Sequence, residues 1–283
     1  MTTTDWSRAT RLSAGELHAC WAALDLGDTP TTLNLQHPPG RTVTEQRHIY
    51  GQTFAHLRRR GLTDPHADRT DRLDRPDRPG PALTAALRLL ATATGEWDLW
   101  LSSGLVALGA FRGEHGLVVV QNPVVQNPVQ NGTAETSTEY ALLAMPAPRV
   151  PATLVELLGP LRPGQARPVN IPADALDHAR RTAGDGSLWT LADRLIDHGV
   201  DRADAHSLAR MCTGIQTTGQ LGGLIRRDGV DHRTPWVVGI HRAAHGDYLQ
   251  LRQPIPGGRP CVTIAPITAD RLVDHLRQLV PAA

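Results

Sequence analysis

The chain repeats one pattern at an interval of 130 residues. The dipeptide His115-Gly116 lies between two strand-like segments, and His245-Gly246 lies between two such segments in the last part of the chain. Runs of apolar or alternating residues bounded by turn residues are typical of strands. Two copies of one unit predict a pseudo-symmetric scaffold, an architecture suited to presenting surfaces.

The repeat continues into a closing strand and helix. Tyr140–Pro146 precedes the helix-like Leu154–Leu161, and Cys261–Pro266 precedes the helix-like Leu272–Leu279. Each half therefore reads as helices, then an antiparallel β-meander, then a closing helix, which predicts the α+β class. We expect an N-terminal half over 12–162 and a C-terminal half with the same plan over 168–281, joined by a Pro/Gly-rich linker in one continuous domain.

Local signals mark several elements and loops. Ser13 followed by Glu16 is a capping box that begins a helix. Thr31–Gln36 alternates and predicts a strand. Thr63–Pro81 is dense in Asp, Arg and Pro and predicts a solvated loop. Val120–Gly132 is a tandem Gln-Asn-Pro repeat whose steps are turn chemistry, which predicts an expanded hairpin loop.

Composition argues against several classes of protein. The 283 residues carry a net charge of +1, and all 29 basic residues are Arg. A protein that binds nucleic acid through bulk charge usually has a clear basic excess. The three scattered cysteines fit a reducing compartment, and we see neither a signal peptide nor a membrane span. The sequence therefore favours a cytoplasmic protein with no nucleic-acid partner and no membrane insertion.

The sequence contains no recognisable catalytic motif. It has no Gly-x-Ser-x-Gly, Walker loop, His-Glu-x-x-His or Cys-x-x-Cys. His241 and His245 have a spacing that binds metal on a helix, but here they fall at a strand end and a turn, so their rings would not share a face. We expect no catalytic residue, no metal ligand and no cofactor, and therefore no enzyme.

One segment favours a different function. Leu208–Ile215, Leu221–Asp228 and Asp231–Ile240 resemble the end of a winged helix, in which a recognition helix leads into a basic hairpin. Glycines inside that helix are unfavourable, and residues able to read bases are missing from it. A winged-helix DNA-binding regulator is nevertheless the alternative hypothesis.

The same residues also resemble a known family. The opening helix from Leu12, the Gly219-Gln-Leu-Gly222 entry to a basic strand, the His245–Gln250 hairpin and above all Val262–Leu272 are similar to the EspG family of type VII (ESX) secretion-associated proteins of actinobacteria. The resemblance spans about Leu12 to Val280. It implies a quasi-two-fold pseudo-symmetric α+β fold, with a central antiparallel β-sheet flanked by two helical bundles. The doubled pattern predicts such symmetry independently.

The resemblance also implies a function. Members of the family are cytosolic chaperones without cofactors. They bind the hydrophobic helical tip of a PPE protein in its PE–PPE heterodimer, which keeps the substrate soluble and targets it for export. We accordingly expect a PE/PPE-like heterodimer as partner, and a monomer or weak homo-oligomer in its absence.

Seven residues are the candidates for the partner surface. Trp97 and Trp100 stand three apart on an alternating strand and therefore point to opposite faces, so that one lies in the core and the other is free to anchor a partner, unless both are packed. The glycines among the candidates either admit a partner backbone or form bulges and turns. A bulky residue at Gly222 tests this choice. The candidates are Trp97, Trp100, Gly104, Gly219, Gln220, Gly222 and Gly223.

Overall fold

The computed structural model of the chain describes residues 4–33, 35, 40, 42–64, 78–125, 136–183, 188–253 and 258–281. The chain forms two compact units. The first comprises Met1–Glu96 and Gly104–Val150, and the second comprises Trp97–Ser103 and Pro151–Ala283. The halves predicted from the repeat, 12–162 and 168–281, stay a prediction as domain boundaries.

The first half of the sequence runs from a short strand through helices into a meander and a closing helix. Its elements are β1 (Thr10–Ser13), α1 (Ala14–Ala23), α2 (Val43–Arg59), α3 (Pro81–Ala91), β2 (Gly95–Leu101), β3 (Val106–Arg112), β4 (His115–Val125), β5 (Thr136–Pro146) and α4 (Val150–Glu156).

The second half follows the same order with one additional strand. Its elements are β6 (Val169–Pro172), α5 (Ala173–Ala183), α6 (Leu188–Asp197), α7 (Arg202–Met211), β7 (Ile215–Arg227), β8 (Val230–Arg233), β9 (Val238–Ala243), β10 (Gly246–Gln253), β11 (Cys261–Pro266) and α8 (Ala269–Leu279). The additional strand is β8, which pairs with β7.

The strand pairing confirms the predicted α+β class with antiparallel sheet. In the first unit the strands lie in the order β1-β5-β4-β3, and in the second unit in the order β2-β7-β9-β10-β11-β6. In both halves the strand that precedes the helices, β1 or β6, pairs antiparallel with the last strand of the meander. The repetition seen in the sequence is therefore a repetition of topology.

Each unit buries its own helix-covered core. In the first unit, apolar side chains of α1–α3 such as Leu17, Phe54 and Leu87 pack with Val119 of the meander. In the second, side chains of α5–α7 pack with Val262 and other residues of β6, β10 and β11. Among the described residues, no helix combines the length and apolarity that a membrane crossing needs.

The capping box at the start of α1 is confirmed. The Ser13 hydroxyl accepts from the Glu16 backbone N–H at 3.2 Å, and the Glu16 carboxylate accepts from the Ser13 backbone N–H at 2.9 Å. These two bonds satisfy amide groups that the first turn of a helix leaves without partners.

The strand predicted over Thr31–Gln36 is wrong for its described part, because Thr31–Leu33 is a 3₁₀ turn. The Leu33 N–H donates to the Pro30 carbonyl at 3.1 Å, so the alternating residues close a turn in place of a ladder. Gln36 lies outside the described residues. Residues 126–132 of the Gln-Asn-Pro segment and 65–77 of the Asp/Arg-rich segment also lie outside the described residues. The loop predicted from Val120 is wrong for its described part, because Val120–Val125 continue strand β4 and pair with β5.

The winged-helix hypothesis is also wrong in its prediction of a recognition helix. Helix α7 ends at Met211, and residues from Ile215 to Arg227 form the long strand β7. Its first part pairs with β9 and its last part with β8. Glycine and β-branched threonine disfavour a helix here, and pairing on both sides stabilises the extended backbone.

Replacing Tyr140 with phenylalanine is expected to destabilise the first unit by about 1–2 kcal/mol, because a buried carbonyl would lose its donor. The Tyr140 hydroxyl donates to the Leu33 carbonyl at 2.9 Å, and the residue is 1% exposed. Urea unfolding measures the change. Tyr50→Phe is the matched control: that hydroxyl contacts His18 Nδ1 at 3.1 Å in a half-exposed position, where water can replace the contact. Equal losses in the two variants would contradict the account.

Candidate partner-binding surface

An open groove crosses one face of the sheet in the second unit. It has a volume of about 530 Å³. Strands β2, β7, β9 and β10 provide its floor, and α5 contributes Arg180 at one side. The lining residues are Trp100, Leu101, Ser102, Arg180, Thr218, Gly219, Gln220, Val237, Gly239, His241, Gln250 and Arg252.

The two tryptophans of β2 point to opposite faces of this sheet, as their spacing predicts. Trp97 is 2% exposed, and its indole N–H donates to the Leu276 carbonyl of α8 at 2.8 Å. Trp100 is 42% exposed and lines the groove. Trp97 thus fixes β2 to α8 on the covered face, while Trp100 presents a large apolar surface on the open one.

The depth of the groove follows from strand register. Gly239 of β9 is the pairing partner of Gln220 on β7 and of Gln250 on β10. Residues opposite each other on paired strands share a face. Because the middle residue of this row has no side chain, the floor is low between the two glutamines. The Gln220 amide is exposed and has no hydrogen-bond partner among the described residues, so it is available to a ligand.

His241 forms the polar part of the floor. Its Nε2 lies 3.0 Å from Gln250 Oε1, and its Nδ1 is buried without a partner among the described residues. Burial lowers the pKa of His241, the hydrogen bond to Gln250 opposes this, and the charge of Arg180 lowers it further. The imidazole is therefore neutral at pH 7, and the floor of the groove is polar but uncharged.

Each candidate glycine has a structural role of its own. A Cβ at Gly219 would lie 2.6 Å from Leu101 Cδ2, and Gly223 faces Val280 and Thr234. Gly104 has a φ of +91°, in the left-handed region that favours glycine, within the turn that follows β2. The turn and close-packing explanation is sufficient for these three positions, and their contribution to partner binding stays a prediction.

Gly222 faces a buried carboxylate. A Cβ there would lie 2.5 Å from Asp98 Oδ1, which accepts from the Gly222 N–H at 3.1 Å. The other carboxylate oxygen of Asp98 pairs with Arg233 of β8. The hydrogen bond from the Gly222 N–H to Asp98 satisfies this amide at the place where β7 changes its partner from β9 to β8. A side chain at position 222 would therefore point to Asp98 and not to an open surface.

Replacing Gly222 with alanine is accordingly expected to destabilise the protein by about 1–3 kcal/mol through overpacking against Asp98. Thermal unfolding measures the effect. Gly15→Ala is the matched control, because a Cβ at Gly15 in α1 meets nothing within 4 Å and alanine favours a helix by up to about 1 kcal/mol. A melting temperature that is unchanged by Gly222→Ala would contradict this assignment.

The His245-Gly-Asp-Tyr hairpin has a structural explanation. The buried Asp247 carboxylate accepts from the Arg162 N–H at 2.6 Å and from Arg242 Nε at 3.1 Å. Arg242 also donates to the carbonyls of Leu158 and Pro160. The hairpin between β9 and β10 is thus bound to the segment that precedes β6.

A larger cavity of about 1050 Å³ lies beside this hairpin. Its lining is mostly polar and includes Arg162, Arg210 and His245. None of the exposed large apolar residues found in the described part of the chain lines it. The groove is the better candidate for an apolar partner, because Trp100 and Val237, which is 37% exposed, both lie in it.

The described residues show no constellation for metal binding. No group of three or more His, Cys, Asp or Glu residues within these ranges is placed to hold a metal ion. His241 lies within β9 and His245 in the following turn. The two therefore do not form the pair of ligands that their spacing would give on a helix.

Sequence reasoning found Trp100, Gly219 and Gln220 of the groove and missed the rest. Gly239 and Gln250 lie on separate strands, β9 and β10, which pairing brings together, and Arg180 comes from helix α5. Gly239 and His241 stand two apart on β9, and Gln250 and Arg252 stand two apart on β10, so each pair lies on one face of its strand. This spacing was the available signal, because these residues are not apolar and therefore mark an open face.

A helix–meander plan that occurs twice, with an open sheet face in the second unit, defines an α+β scaffold. The EspG family model matches residues 13–278, and the chain belongs to this family. Among solved structures, the chain is similar to the Mycobacterium tuberculosis type VII secretion system chaperone EspG5 in complex with the PE25–PPE41 dimer. The TM-score is 0.68 with 13% identity, covering 96% of this chain and 95% of the other. No curated protein matches the sequence.

Proposed function

We propose that this protein is a chaperone of a type VII secretion system that binds a PE–PPE heterodimer and keeps it soluble until export. Membership of the EspG family over residues 13–278 is the observation that carries the proposal. The likeness in fold to EspG5, whose structure contains the PE25–PPE41 dimer, supports it.

The groove offers the surface that this function needs. An exposed apolar tip on a secreted substrate aggregates unless another protein covers it. Trp100 and Val237 supply apolar contact, while Gln220 supplies hydrogen-bonding groups that can pair with a partner backbone. Aromatic anchors beside polar groups are typical of protein interfaces. In this proposal the tip of the PPE subunit occupies the groove.

The proposal assigns no catalysis and no cofactor to the protein. Substrate protection requires only reversible binding, which buried apolar area and hydrogen bonds supply. It also places the protein in the cytoplasm, where an export substrate needs protection before it reaches the secretion machinery.

Co-expression tests the proposal. The tagged protein is produced with each PE–PPE pair of its source genome, and the purified material is analysed by size exclusion. We expect at least one pair to elute with the protein as a stoichiometric complex and to yield less soluble heterodimer when it is produced without the protein. If every pair is soluble alone and none elutes with the protein, the proposed function is wrong.

A further inference from the structure

The lining of the groove contains cationic side chains and no carboxylate. Arg180 and Arg252 border the groove, and none of its described lining residues is Asp or Glu. The chain as a whole is nearly neutral, with a net charge of +1. The groove is therefore locally more positive than the average surface of the protein.

The charge of Arg252 is already neutralised within the protein. Its Nη2 donates to Asp177 Oδ2 at 2.8 Å and its Nη1 to Asp177 Oδ1 at 3.3 Å. Asp177 lies one turn before Arg180 on α5 and is thus the nearest carboxylate along that helix face. Asp177 forms its ion pair with Arg252, and no contact between Asp177 and Arg180 is present among the described residues.

Arg180 is the cation that remains available. It is exposed and has neither an ion pair nor a hydrogen bond among the described residues. Its charge contributes to lowering the pKa of His241 on the groove floor, after the larger effect of burial. The charge of the Arg180 guanidinium therefore reaches the floor of the groove.

We infer that Arg180 selects partners whose groove-binding segment carries an Asp or Glu side chain beside its apolar residues. This inference rests on the proposed function. An apolar segment that covers Trp100 and Val237 removes water from the same groove, which strengthens a charge pair formed there. A guanidinium binds a carboxylate through two parallel hydrogen bonds. A segment without a carboxylate would leave Arg180 partly desolvated and unpaired, which disfavours it relative to an acidic one.

Charge reversal tests this assignment with a control on the same helix. Arg180→Glu places a negative charge at the groove, whereas Arg181→Glu makes the same change one residue further on. Arg181 lines a different, smaller pocket with His178 and His198. Both substitutions lie in the last turn of α5, so both weaken the favourable interaction with the helix dipole to a similar extent.

Affinity for the PE–PPE pair identified by co-expression is measured by biolayer interferometry. We expect Arg180→Glu to weaken binding by about tenfold or more and Arg181→Glu to leave it within about twofold. Changing the responsible acidic residue of the PPE tip to arginine should restore binding to Arg180→Glu. Melting temperatures of both variants should stay close to that of the wild type.

The outcomes separate the inference from the function on which it rests. Equal affinity of Arg180→Glu and the wild type overturns the inference and leaves the chaperone function intact. The same conclusion follows if changing each acidic residue of the tip in turn restores no binding to Arg180→Glu. Failure of every PE–PPE pair to bind the wild-type protein overturns the proposed function and the inference together.

Discussion

Replacing Asp247 with alanine is expected to destabilise the protein by about 3 kcal/mol, because it removes a buried carboxylate that accepts two charge-assisted hydrogen bonds. Asp247 is 4% exposed. Its carboxylate accepts from Arg242 Nε and from the Arg162 N–H, and both donors would be left without it. The loss combines an unpaired guanidinium with an unsatisfied backbone amide.

Urea unfolding followed by circular dichroism measures this effect. Asp274→Ala is the control, since Asp274 also pairs with an arginine, Arg277 at 3.3 Å, but its side chain is 64% exposed. Exposed ion pairs contribute little to stability, so no measurable change is expected there. Similar midpoints for the two variants would mean that Asp247 does not hold the hairpin to the preceding segment.

Replacing Trp100 with alanine is expected to weaken binding of the PE–PPE pair by about 30-fold or more, the loss of about 2 kcal/mol typical of an interface anchor. Trp100 is the largest exposed apolar side chain of the groove. Its removal should leave the melting temperature nearly unchanged, because the covered face of β2 is held by Trp97. Affinity is measured by biolayer interferometry with the PE–PPE pair identified by co-expression.

Val230→Ala is the control for the tryptophan. Val230 is 56% exposed on β8 and does not line the groove. We expect it to bind with wild-type affinity. An equal loss in both variants would indicate that exposed apolar residues of the second unit contribute without regard to the groove. An unchanged affinity of Trp100→Ala would place the anchor elsewhere.

The features predicted from sequence are those that depend on short-range periodicity. The opposite faces of Trp97 and Trp100 follow from the two-residue period of a strand, and the Ser13 cap follows from a three-residue spacing. The doubled His-Gly hairpin predicted the repeated topology, because each copy carries the same order of strands and helix. These signals are local and need no knowledge of distant contacts.

The features that could not be predicted depend on distant residues. Gly222 is constrained by Asp98, which lies 124 positions away in the sequence, so its neighbours could not be inferred from β7 alone. Asp177 pairs with Arg252, 75 positions away, and not with Arg180, its neighbour on the same helix. Such pairings require the register of several strands and the placement of a helix, which local patterns do not specify.

Site-specific photocrosslinking tests the central claim most directly, namely that the open face of the second unit's sheet binds the PPE subunit. A benzophenone amino acid is introduced at Gln220, in the groove, or at Gln278, which is exposed on α8. Helix α8 packs on the opposite face of the same sheet, where Trp97 bonds to it. We expect irradiation of the complex to link the PPE subunit to position 220 and not to position 278. Linkage at 278 without linkage at 220, in a complex that forms normally, would contradict the account.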